Sequence, residues 1–351
     1  MKDKMQAAVL YAPGDLRVEE AAVPCVQNAD DVLINVKAVG ICGSDLERVM
    51  ITGTYNFPTI PGHEFCGVVA ETGSGAGDFK PGDRVVVAPI LPCGVCESCS
   101  HGNYGQCDNY NYLGSRTNGG MAEYVVAPRQ NLLKMPDNMS FGEGASVEPA
   151  AVTLHGMLQI KIDAGDTVVV LGCGTIGLFA VQFAKIMGAA KVIAVDIDVD
   201  KFSAAKKAGA DVCVDAKSAE AITEIKNSAG SLGVDVVIET AGSAVTQEQA
   251  LRIVKKKGRV LYLGTAHKDV VLPPATFENI VRNELWLTGS WNSYSAPFPG
   301  REWRTVLSYA QAGRLDLKSG ITHSITLEQA PATIKSMLQR EFSFNKVVIE
   351  I

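Results

Sequence analysis

Four closely spaced cysteines form the clearest metal-binding pattern in the sequence. They follow the spacing C-x2-C-x2-C-x7-C inside a glycine-rich segment and are Cys93, Cys96, Cys99 and Cys107. Four thiolates on one compact loop can surround Zn²⁺ tetrahedrally, and a site filled by four protein ligands is structural rather than catalytic. Two alternatives remain: an iron–sulfur cluster, since bacterial ferredoxins share the first two spacings in C-x2-C-x2-C-x3-C-P, and a disulfide-bonded knot.

A second set of possible metal ligands is spread over three segments. Cys42 lies in GICGSD, His63 and Glu64 lie in PGHEFCG, and Glu148 lies in VEPAAV. A thiolate, an imidazole and a carboxylate leave one coordination position for water or substrate, which is the arrangement of a catalytic zinc site. Each residue also has an ordinary interpretation as a core thiol, a turn cap or a surface acid, because spacing alone does not bring positions 42, 63 and 148 together.

Two neighbours of Cys42 can support such a site. Asp45 can accept a hydrogen bond from the second ring nitrogen of His63, which would fix the imidazole tautomer and raise its basicity. Ser44 would then lie beside the open position, where its hydroxyl can pass a proton.

A glycine pattern further along the chain predicts a dinucleotide site. The segment TVVVLGCGTIG places Gly172, Gly174 and Gly177 as G-x-G-x-x-G after a strand and at the start of a helix, whose N-terminal N–H groups can bind phosphates. The same turn contains Thr175 and Ile176. Asp196 ends the next strand, where its carboxylate can accept from the ribose hydroxyls and repel a 2′-phosphate; Lys201 is expected beside that ribose. The pattern therefore favours NAD, and the alternative is an ordinary turn with Asp196 as a helix cap.

The order of predicted elements indicates two kinds of domain. The first 150 residues contain short alternating or β-branched runs separated by Pro-Gly and Asn-Gly turns, which predicts a β barrel or sandwich. From about Asp163, six buried strands alternate with helical segments, which predicts a doubly wound parallel sheet. Helical segments are expected to end at Gly188, Gly209 and Gly258. The last 60 residues break the alternation and end in the strand KVVIEI.

Composition excludes several classes of protein. The 351 residues are 47% hydrophobic and 20% charged with a net charge of −6, which excludes disorder and argues against a nucleic-acid or anionic-membrane binder. The N-terminus shows no signal peptide, and the uncharged run 167–184 contains three glycines, so it is interpreted as strand, turn and buried helix rather than a membrane span. A cytoplasmic protein is therefore expected, with reduced cysteines. Four of these are interpreted as small buried residues: Cys25, Cys66, Cys173 and Cys213.

Taken together, these motifs resemble the zinc-dependent medium-chain alcohol and polyol dehydrogenase family. GHEFCGVVAETGSG (62–75), ICGSD, the four-cysteine segment, VEPAAV and LGCGTIG occur in that family's order over essentially the whole chain. The resemblance implies an α/β protein with a GroES-like β-barrel catalytic domain (1–153 and 291–351) and an inserted Rossmann NAD-binding domain (154–290), with the active site in the cleft. It also implies two zinc ions per chain, with Cys42, His63 and Glu148 as catalytic ligands and Glu64 able to exchange onto the metal.

A narrower resemblance concerns the substrate. Polyol dehydrogenases carry glutamate at the position of Glu148, where simple alcohol dehydrogenases carry cysteine. The segments 113–124, 264–285 and 289–303 resemble polyol phosphate dehydrogenases, which implies NAD-dependent oxidation of galactitol 1-phosphate to tagatose 6-phosphate. Unphosphorylated polyols of the sorbitol or butanediol type and threonine are alternative substrates. Alternatives from other classes are a non-catalytic zinc protein, an iron–sulfur electron-transfer protein and a zinc-free quinone reductase.

Several residues are candidates for substrate contact. Aromatic walls and phosphate-binding cations are expected among Tyr55, Arg116, Trp291 and Tyr294, with Arg48, Arg301 and Lys346 as further cations. The expected partner is a small-molecule polyol phosphate, without nucleic acid or membrane. The resemblance also suggests a homodimer or homotetramer, with sheet edges around 285–289 in contact.

Overall fold

The computed structural model describes residues 3–351. Its strands are β1 (Lys4–Ala12), β2 (Asp15–Ala22), β3 (Asp31–Ile41), β4 (Glu64–Thr72), β5 (Arg84–Val87), β6 (Ile90–Leu91), β7 (Asn111–Tyr112), β8 (Tyr124–Pro128), β9 (Leu132–Lys134), β10 (Thr167–Leu171), β11 (Lys191–Asp196), β12 (Val212–Asp215), β13 (Val234–Glu239), β14 (Val254–Tyr262), β15 (Trp286–Gly289), β16 (Ile321–Thr326) and β17 (Lys346–Glu350). Its α-helices are α1 (Gly43–Glu47), α2 (Glu97–Ser100), α3 (Phe141–Ala145), α4 (Val147–Gln159), α5 (Thr175–Ile186), α6 (Phe202–Lys207), α7 (Ala221–Ala229), α8 (Ala244–Ile253), α9 (Pro274–Arg282), α10 (Arg301–Gln311) and α11 (Ala330–Gln339).

The chain divides into two compact units. The first contains the residues up to Pro149 together with Tyr294–Ile351, and the second is Ala150–Ser293. The domain borders predicted at 153/154 and 290/291 lie a few residues from these points. The first unit is therefore discontinuous in sequence.

The first unit is built on a seven-stranded sheet. Its strand order is β16-β17-β3-β4-β5-β9, and β8 also pairs with β3. Strand β17 pairs antiparallel with β3, so that Val347 lies opposite Ile41 and Ile349 opposite Val39. Val347 and Ile349 are fully buried in the same apolar core as Val39. The C-terminal strand thus completes the core of the unit that the N-terminal segment begins.

The second unit contains a six-stranded parallel sheet in the order β12-β11-β10-β13-β14-β15. This is the strand order of a doubly wound dinucleotide-binding fold, and it reverses between β10 and β13. The residues of β10 are buried on both faces, as expected for a strand covered by helices on each side. The uncharged run 167–184 divides into β10, a glycine turn and most of α5, which confirms the prediction of strand, turn and helix. No helix within residues 3–351 combines the length and apolar character needed to cross a membrane.

Three local predictions need correction or qualification. Gly188 and Gly209 follow helices with φ of +105° and +110°, as expected for helix ends. Gly258 instead lies inside β14, where a side-chain carbon would come 2.8 Å from the carbonyl oxygen of Lys255, so close backbone approach explains this glycine. Cys25 is exposed and Cys213 is half-buried, so neither is the fully buried thiol that was predicted.

Candidate catalytic and cofactor sites

Cys42 lies at the turn where β3 ends and α1 begins. Its backbone N–H donates to Asp45 Oδ2 at 3.0 Å, and the Asp45 N–H donates back to the Cys42 carbonyl oxygen at 3.0 Å. These reciprocal bonds hold the thiol and the carboxylate in one fixed turn. The Ser44 hydroxyl donates to Cys42 Sγ at 3.3 Å, so all three predicted residues of this segment lie together.

The antiparallel pairing of β3 and β4 brings the second segment to Cys42. Gly40 lies opposite Glu64, the first residue of β4, so Glu64 and the preceding His63 lie beside the end of β3. One ligand atom from each of Cys42, His63 and Glu64 lies within 4.8 Å of the others. His63 and Glu64 are 6% and 1% exposed, so the cluster is formed largely out of contact with solvent.

Asp45 orients the imidazole of His63. Asp45 Oδ1 lies 3.3 Å from His63 Nδ1 and 3.2 Å from Arg48 Nη1, and the carboxylate is completely buried. Burial opposes the charge of each partner, but the attraction between them holds the pKa of Asp45 below its usual value and raises the pKa of His63 well above its own. With Nδ1 directed at Asp45, Nε2 is the ring atom that can bind a metal.

Glu148 is a buried neighbour of this cluster, but it is not one of the three residues whose ligand atoms lie within 4.8 Å of one another. It lies in the first turn of α4, is 6% exposed, and accepts a hydrogen bond from the Tyr112 hydroxyl at 3.4 Å. Burial, reinforced by the charge of Glu64, raises the pKa of Glu148 to about 7. A buried carboxylate of this kind is suited to bind a divalent cation.

Glu64 has a buried cationic partner that was not anticipated. Lys346 Nζ lies 2.5 Å from Glu64 Oε2 and donates to the Ile41 carbonyl oxygen at 3.1 Å. Both side chains are at most 3% exposed. The expectation that Lys346 is available to bind a substrate phosphate is therefore wrong, because its ammonium group is buried and already paired.

The donor set fits a catalytic zinc ion. A thiol, an imidazole with one nitrogen oriented by a carboxylate, and two buried carboxylates match the mixed sulfur, nitrogen and oxygen ligands of catalytic zinc sites. A bound cation would also offset the burial that disfavours the charged form of Glu148. Cys42, His63 and a carboxylate from Glu64 or Glu148 are the residues that would hold it.

The four cysteines of the separate lobe also converge. One sulfur from each of Cys93, Cys96, Cys99 and Cys107 lies within 4.8 Å of the others. The Cys93 N–H donates to Cys107 Sγ at 3.3 Å, as backbone amides do around thiolates in metal sites. All nine cysteines are free, so the disulfide interpretation receives no support within residues 3–351. Hydrogen bonds from the backbone lower the pKa of Cys96 to about 6, which favours its thiolate.

The glycine pattern forms the expected turn between β10 and α5. Gly172 has φ of +102°, and a side-chain carbon at Gly177 would overlap the Gly172 carbonyl oxygen. Gly174 precedes α5 and has open space where a side chain would be, so a ligand can approach the backbone there, beside Thr175 and Ile176. Asp196 ends β11 and accepts from the Cys173 N–H at 2.6 Å, which places its carboxylate at this turn. Lys201 lies in the short helical turn that follows.

The four predicted substrate residues differ in their exposure and in their contacts. Tyr55 is 66% exposed and its ring lies against the Arg116 guanidinium, 4.2 Å from it. Trp291 belongs to the second unit and is 54% exposed. Tyr294 is 3% exposed, its ring stacks with Trp303, and its hydroxyl accepts from the Ile90 N–H at 3.2 Å. Tyr294 is therefore a packing residue rather than an open pocket wall.

Tyr112 is a site residue that sequence reasoning missed. Its ring packs edge-on against His63 with 5.8 Å between ring centroids, and its hydroxyl reaches Glu148. Burial and the neighbouring Tyr294 and Glu148 raise its pKa well above the usual value, so it stays protonated as a donor. The repeated tyrosines of the segment DNYNYLGSR were the available signal.

Two family models match the chain. The alcohol dehydrogenase GroES-like domain matches residues 28–137, and the zinc-binding dehydrogenase model matches residues 175–311. Galactitol 1-phosphate 5-dehydrogenase of Escherichia coli (strain K12) is 36% identical over 334 residues, which cover 95% of this chain and 96% of that protein. The chain belongs to the zinc-dependent medium-chain alcohol and polyol dehydrogenase family. This confirms the predicted family and fold class.

Other members of this family show how its activities vary. Sorbitol dehydrogenase of Bacillus subtilis (strain 168) is 33% identical over 350 residues, covering 98% of this chain and 97% of that protein. The crystal structure of galactitol-1-phosphate dehydrogenase from Escherichia coli superposes with a TM-score of 0.93 at 36% identity, covering 99% of this chain and 100% of that one. A zinc-binding dehydrogenase from Sinorhizobium meliloti 1021 bound to NADP superposes with a TM-score of 0.90 at 34% identity, and both chains are covered completely.

Proposed function

We propose that this protein oxidises a secondary hydroxyl of a polyol phosphate to a ketose phosphate with NAD, and that its substrate pair is galactitol 1-phosphate and tagatose 6-phosphate. The observation that carries the chemistry is the buried convergence of Cys42, His63 and Glu64 beside Glu148. The substrate is supported by the 36% identity to the Escherichia coli enzyme over 95% of the chain.

The residues of the first unit have distinct roles in this proposal. Cys42, His63 and Glu148 would hold the zinc ion, Glu64 would be close enough to take the place of one ligand, and Asp45 fixes the orientation of His63. Zinc bound at such a site acts as a Lewis acid that lowers the pKa of a substrate hydroxyl. The Ser44 hydroxyl lies 3.3 Å from Cys42 Sγ and is exposed to solvent. It would accept the departing proton at Oγ and release its own hydroxyl proton to solvent.

The second unit supplies the hydride acceptor. The turn of Gly172, Gly174 and Gly177 would hold the pyrophosphate of NAD, and Asp196 would accept hydrogen bonds from the adenosine ribose hydroxyls. A carboxylate at this position repels a 2′-phosphate, so NAD is favoured over NADP even though the Sinorhizobium meliloti relative binds NADP. Nicotinamide supplies the redox chemistry, while the chain positions it and excludes competing reactions.

The closed cluster of Cys93, Cys96, Cys99 and Cys107 is proposed as a structural zinc site. It has no open position for substrate, so its contribution is to the folding of the lobe. We also propose that the chain forms a homodimer or homotetramer. The edge strand β15 exposes Trp286 and Leu287 to the extent of 66% and 36%, which is consistent with a subunit contact there.

A substrate screen tests the proposal. NADH formation is recorded with zinc-loaded protein and galactitol 1-phosphate, galactitol, sorbitol, 2,3-butanediol and threonine, and each reaction is repeated with Cys42→Ala and His63→Ala. We expect strong turnover of the polyol phosphate, loss of turnover in both variants and unchanged NAD binding. Strong activity on sorbitol or butanediol with none on the phosphate would refute the substrate, and full activity of either variant would refute the metal site.

A further inference from the structure

Arg116 is enclosed by two tyrosine rings. Its guanidinium carbon lies 4.2 Å from the ring centroids of both Tyr55 and Tyr110. Nη1 donates to the Tyr110 carbonyl oxygen at 3.3 Å, and Asn56 Nδ2 donates to the Arg116 carbonyl oxygen at 3.0 Å. We call Tyr55, Tyr110 and Arg116 the tyrosine clamp. The two rings lie against the guanidinium group, and within residues 3–351 its one hydrogen-bond acceptor is the Tyr110 carbonyl oxygen, so its other N–H donors are left for a ligand.

The clamped cation has no acidic partner. Across residues 3–351, no carboxylate forms an ion pair with Arg116, whereas Arg48 pairs with Asp45 and Arg129 pairs with Asp30, each at 3.2 Å. The clamp restricts the rotamers of Arg116 before any ligand arrives, so less entropy is lost on binding. A fixed, unneutralised guanidinium is an arrangement suited to bind an anion.

The loop that carries Arg116 is fastened to the metal-binding segment. Gly114 has φ of +87°, and a side-chain carbon there would lie 2.5 Å from the carbonyl carbon of Gly62, the residue before His63. The Gly120 N–H also donates to the Gly62 carbonyl oxygen at 2.8 Å. Two backbone contacts with Gly62 therefore hold the loop of Arg116 next to His63.

The ring of Tyr112 lies between the clamp and the donor set. Tyr110 lies 6.3 Å from Tyr112 between ring centroids, and Tyr112 lies 5.8 Å from His63 while its hydroxyl reaches Glu148. A polyol phosphate oxidised far from its phosphorylated end needs such a separation between metal and cation. Lys346 does not meet this need, because it lies directly on Glu64 and is neutralised there; nor does Arg48, which is paired with the residue that orients His63.

We propose that Arg116 is the phosphate receptor of the substrate site, held ready by Tyr55 and Tyr110. This inference rests on the proposed function and names the residue that distinguishes a polyol phosphate from a free polyol. The guanidinium edge presents its N–H donors to two phosphate oxygens, the bidentate geometry that arginine forms with phosphate.

Steady-state kinetics of Arg116→Met and Arg116→Lys test the assignment with galactitol 1-phosphate, galactitol and NAD as varied substrates. We expect Arg116→Met to raise KM for the phosphate about 10- to 100-fold, and to change KM for galactitol and for NAD less than about twofold. Arg116→Lys keeps the charge without the planar donors, so an intermediate effect is expected. The matched control is Arg314→Met. Arg314 also stacks on a tyrosine, 4.4 Å from the Tyr309 centroid, but it lies after the end of α10 at Gln311.

Inhibition by inorganic phosphate tests whether Arg116 binds the phosphate group itself. Inorganic phosphate should compete with galactitol 1-phosphate in the wild-type enzyme and lose this effect in Arg116→Met. An equal rise in KM for NAD would overturn the inference by assigning Arg116 to the cofactor. An unchanged preference for the phosphate in Arg116→Met would overturn it while leaving the proposed function intact. A wild-type enzyme without preference for the phosphate would instead refute the proposed substrate, and Arg116→Lys provides the test if Arg116→Met does not fold.

Discussion

Replacement of Lys346 by methionine should destabilise the first unit strongly. Methionine keeps the length and apolar stem of the side chain but leaves the Glu64 carboxylate, which is 2% exposed, without its partner 2.5 Å away. Removal of one member of a buried ion pair costs about 3–5 kcal/mol, because the other charge remains in a poorly solvating environment. The Ile41 carbonyl oxygen also loses the donor that lies 3.1 Å from it.

The double variant separates the ion pair from general packing. Glu64→Gln removes the orphaned charge, so Lys346→Met with Glu64→Gln should recover to within about 2 kcal/mol of the wild-type free energy of unfolding. Lys4 and Glu20 provide a matched control in the same unit, since they form a 2.8 Å pair with side chains 66% and 58% exposed. Lys4→Met should leave stability unchanged.

Urea unfolding of the metal-free protein at neutral pH, followed by tryptophan fluorescence, measures these effects. Of the three tryptophans, Trp303 is fully buried in the first unit, while Trp286 and Trp291 are already 66% and 54% exposed, so the change in emission reports mainly on the first unit. A Lys346→Met variant within 1 kcal/mol of the wild type, or a double variant less stable than Lys346→Met alone, would refute the reasoning.

Three further predictions follow from other parts of the chain. Cys99→Ser should remove one of two zinc ions per chain and lower the melting temperature, whereas Cys25→Ser, at an exposed thiol, should change neither; metal analysis and calorimetry check both. Asp196→Asn should raise KM for NAD about tenfold and reduce the preference for NAD over NADP, measured by initial rates with each cofactor. An unchanged ratio of kcat/KM for NAD to kcat/KM for NADP would contradict the role of this carboxylate. Burial alone would raise the pKa of Asp211, but Lys185 Nζ and the Val192 N–H, each 2.6 Å from Oδ2, hold it below its usual value. Its contribution to stability is therefore present above the unfolded pKa of about 4 and is lost as pH falls through the lower folded pKa, so the difference in unfolding free energy between wild type and Asp211→Asn should vanish towards pH 2.

The cofactor-binding fold could be predicted because its signals are local. A buried strand, three glycines, a helix and an acidic residue after the next strand follow one another within 30 residues, so short-range sterics and helix chemistry determine the arrangement. The structure places Gly172, Gly177 and Asp196 together in the expected turn.

The residue types of the candidate metal site could be predicted from the sequence, but the contacts between these residues could not. Cys42 and Asp45 are joined by a local turn, whereas the contact between Glu64 and Lys346 joins positions 282 residues apart. No local pattern distinguishes a lysine that will be buried at the start of a C-terminal strand from one that faces solvent. Lys346 is buried because β17 pairs with β3, and that pairing depends on the assembled core.

Gly258 shows the same limit on a smaller scale. A glycine after a run of helix-forming residues predicts a helix end, but the helix α8 ends at Ile253 and the chain continues directly into β14. Val254 pairs with Val234 and Arg259 pairs with Val236, so β14 has extra residues between these two pairs. Lys257 has φ of +61° in this stretch, and Gly258 lies close to the Lys255 carbonyl oxygen. Tertiary strand pairing therefore overrides the local signal.

Anomalous X-ray scattering, recorded on both sides of the zinc absorption edge from crystals of the zinc-loaded chain, tests the catalytic metal site most directly. Two peaks per chain are expected. One should lie among the four cysteines of the lobe, and the other about 2.3 Å from Cys42 Sγ and about 2.1 Å from His63 Nε2, with a carboxylate of Glu64 or Glu148 as a further ligand. A single peak in the lobe, with Cys42 and His63 free of metal, would contradict the assignment of this protein as a zinc-dependent polyol dehydrogenase with its chemistry at Cys42 and His63.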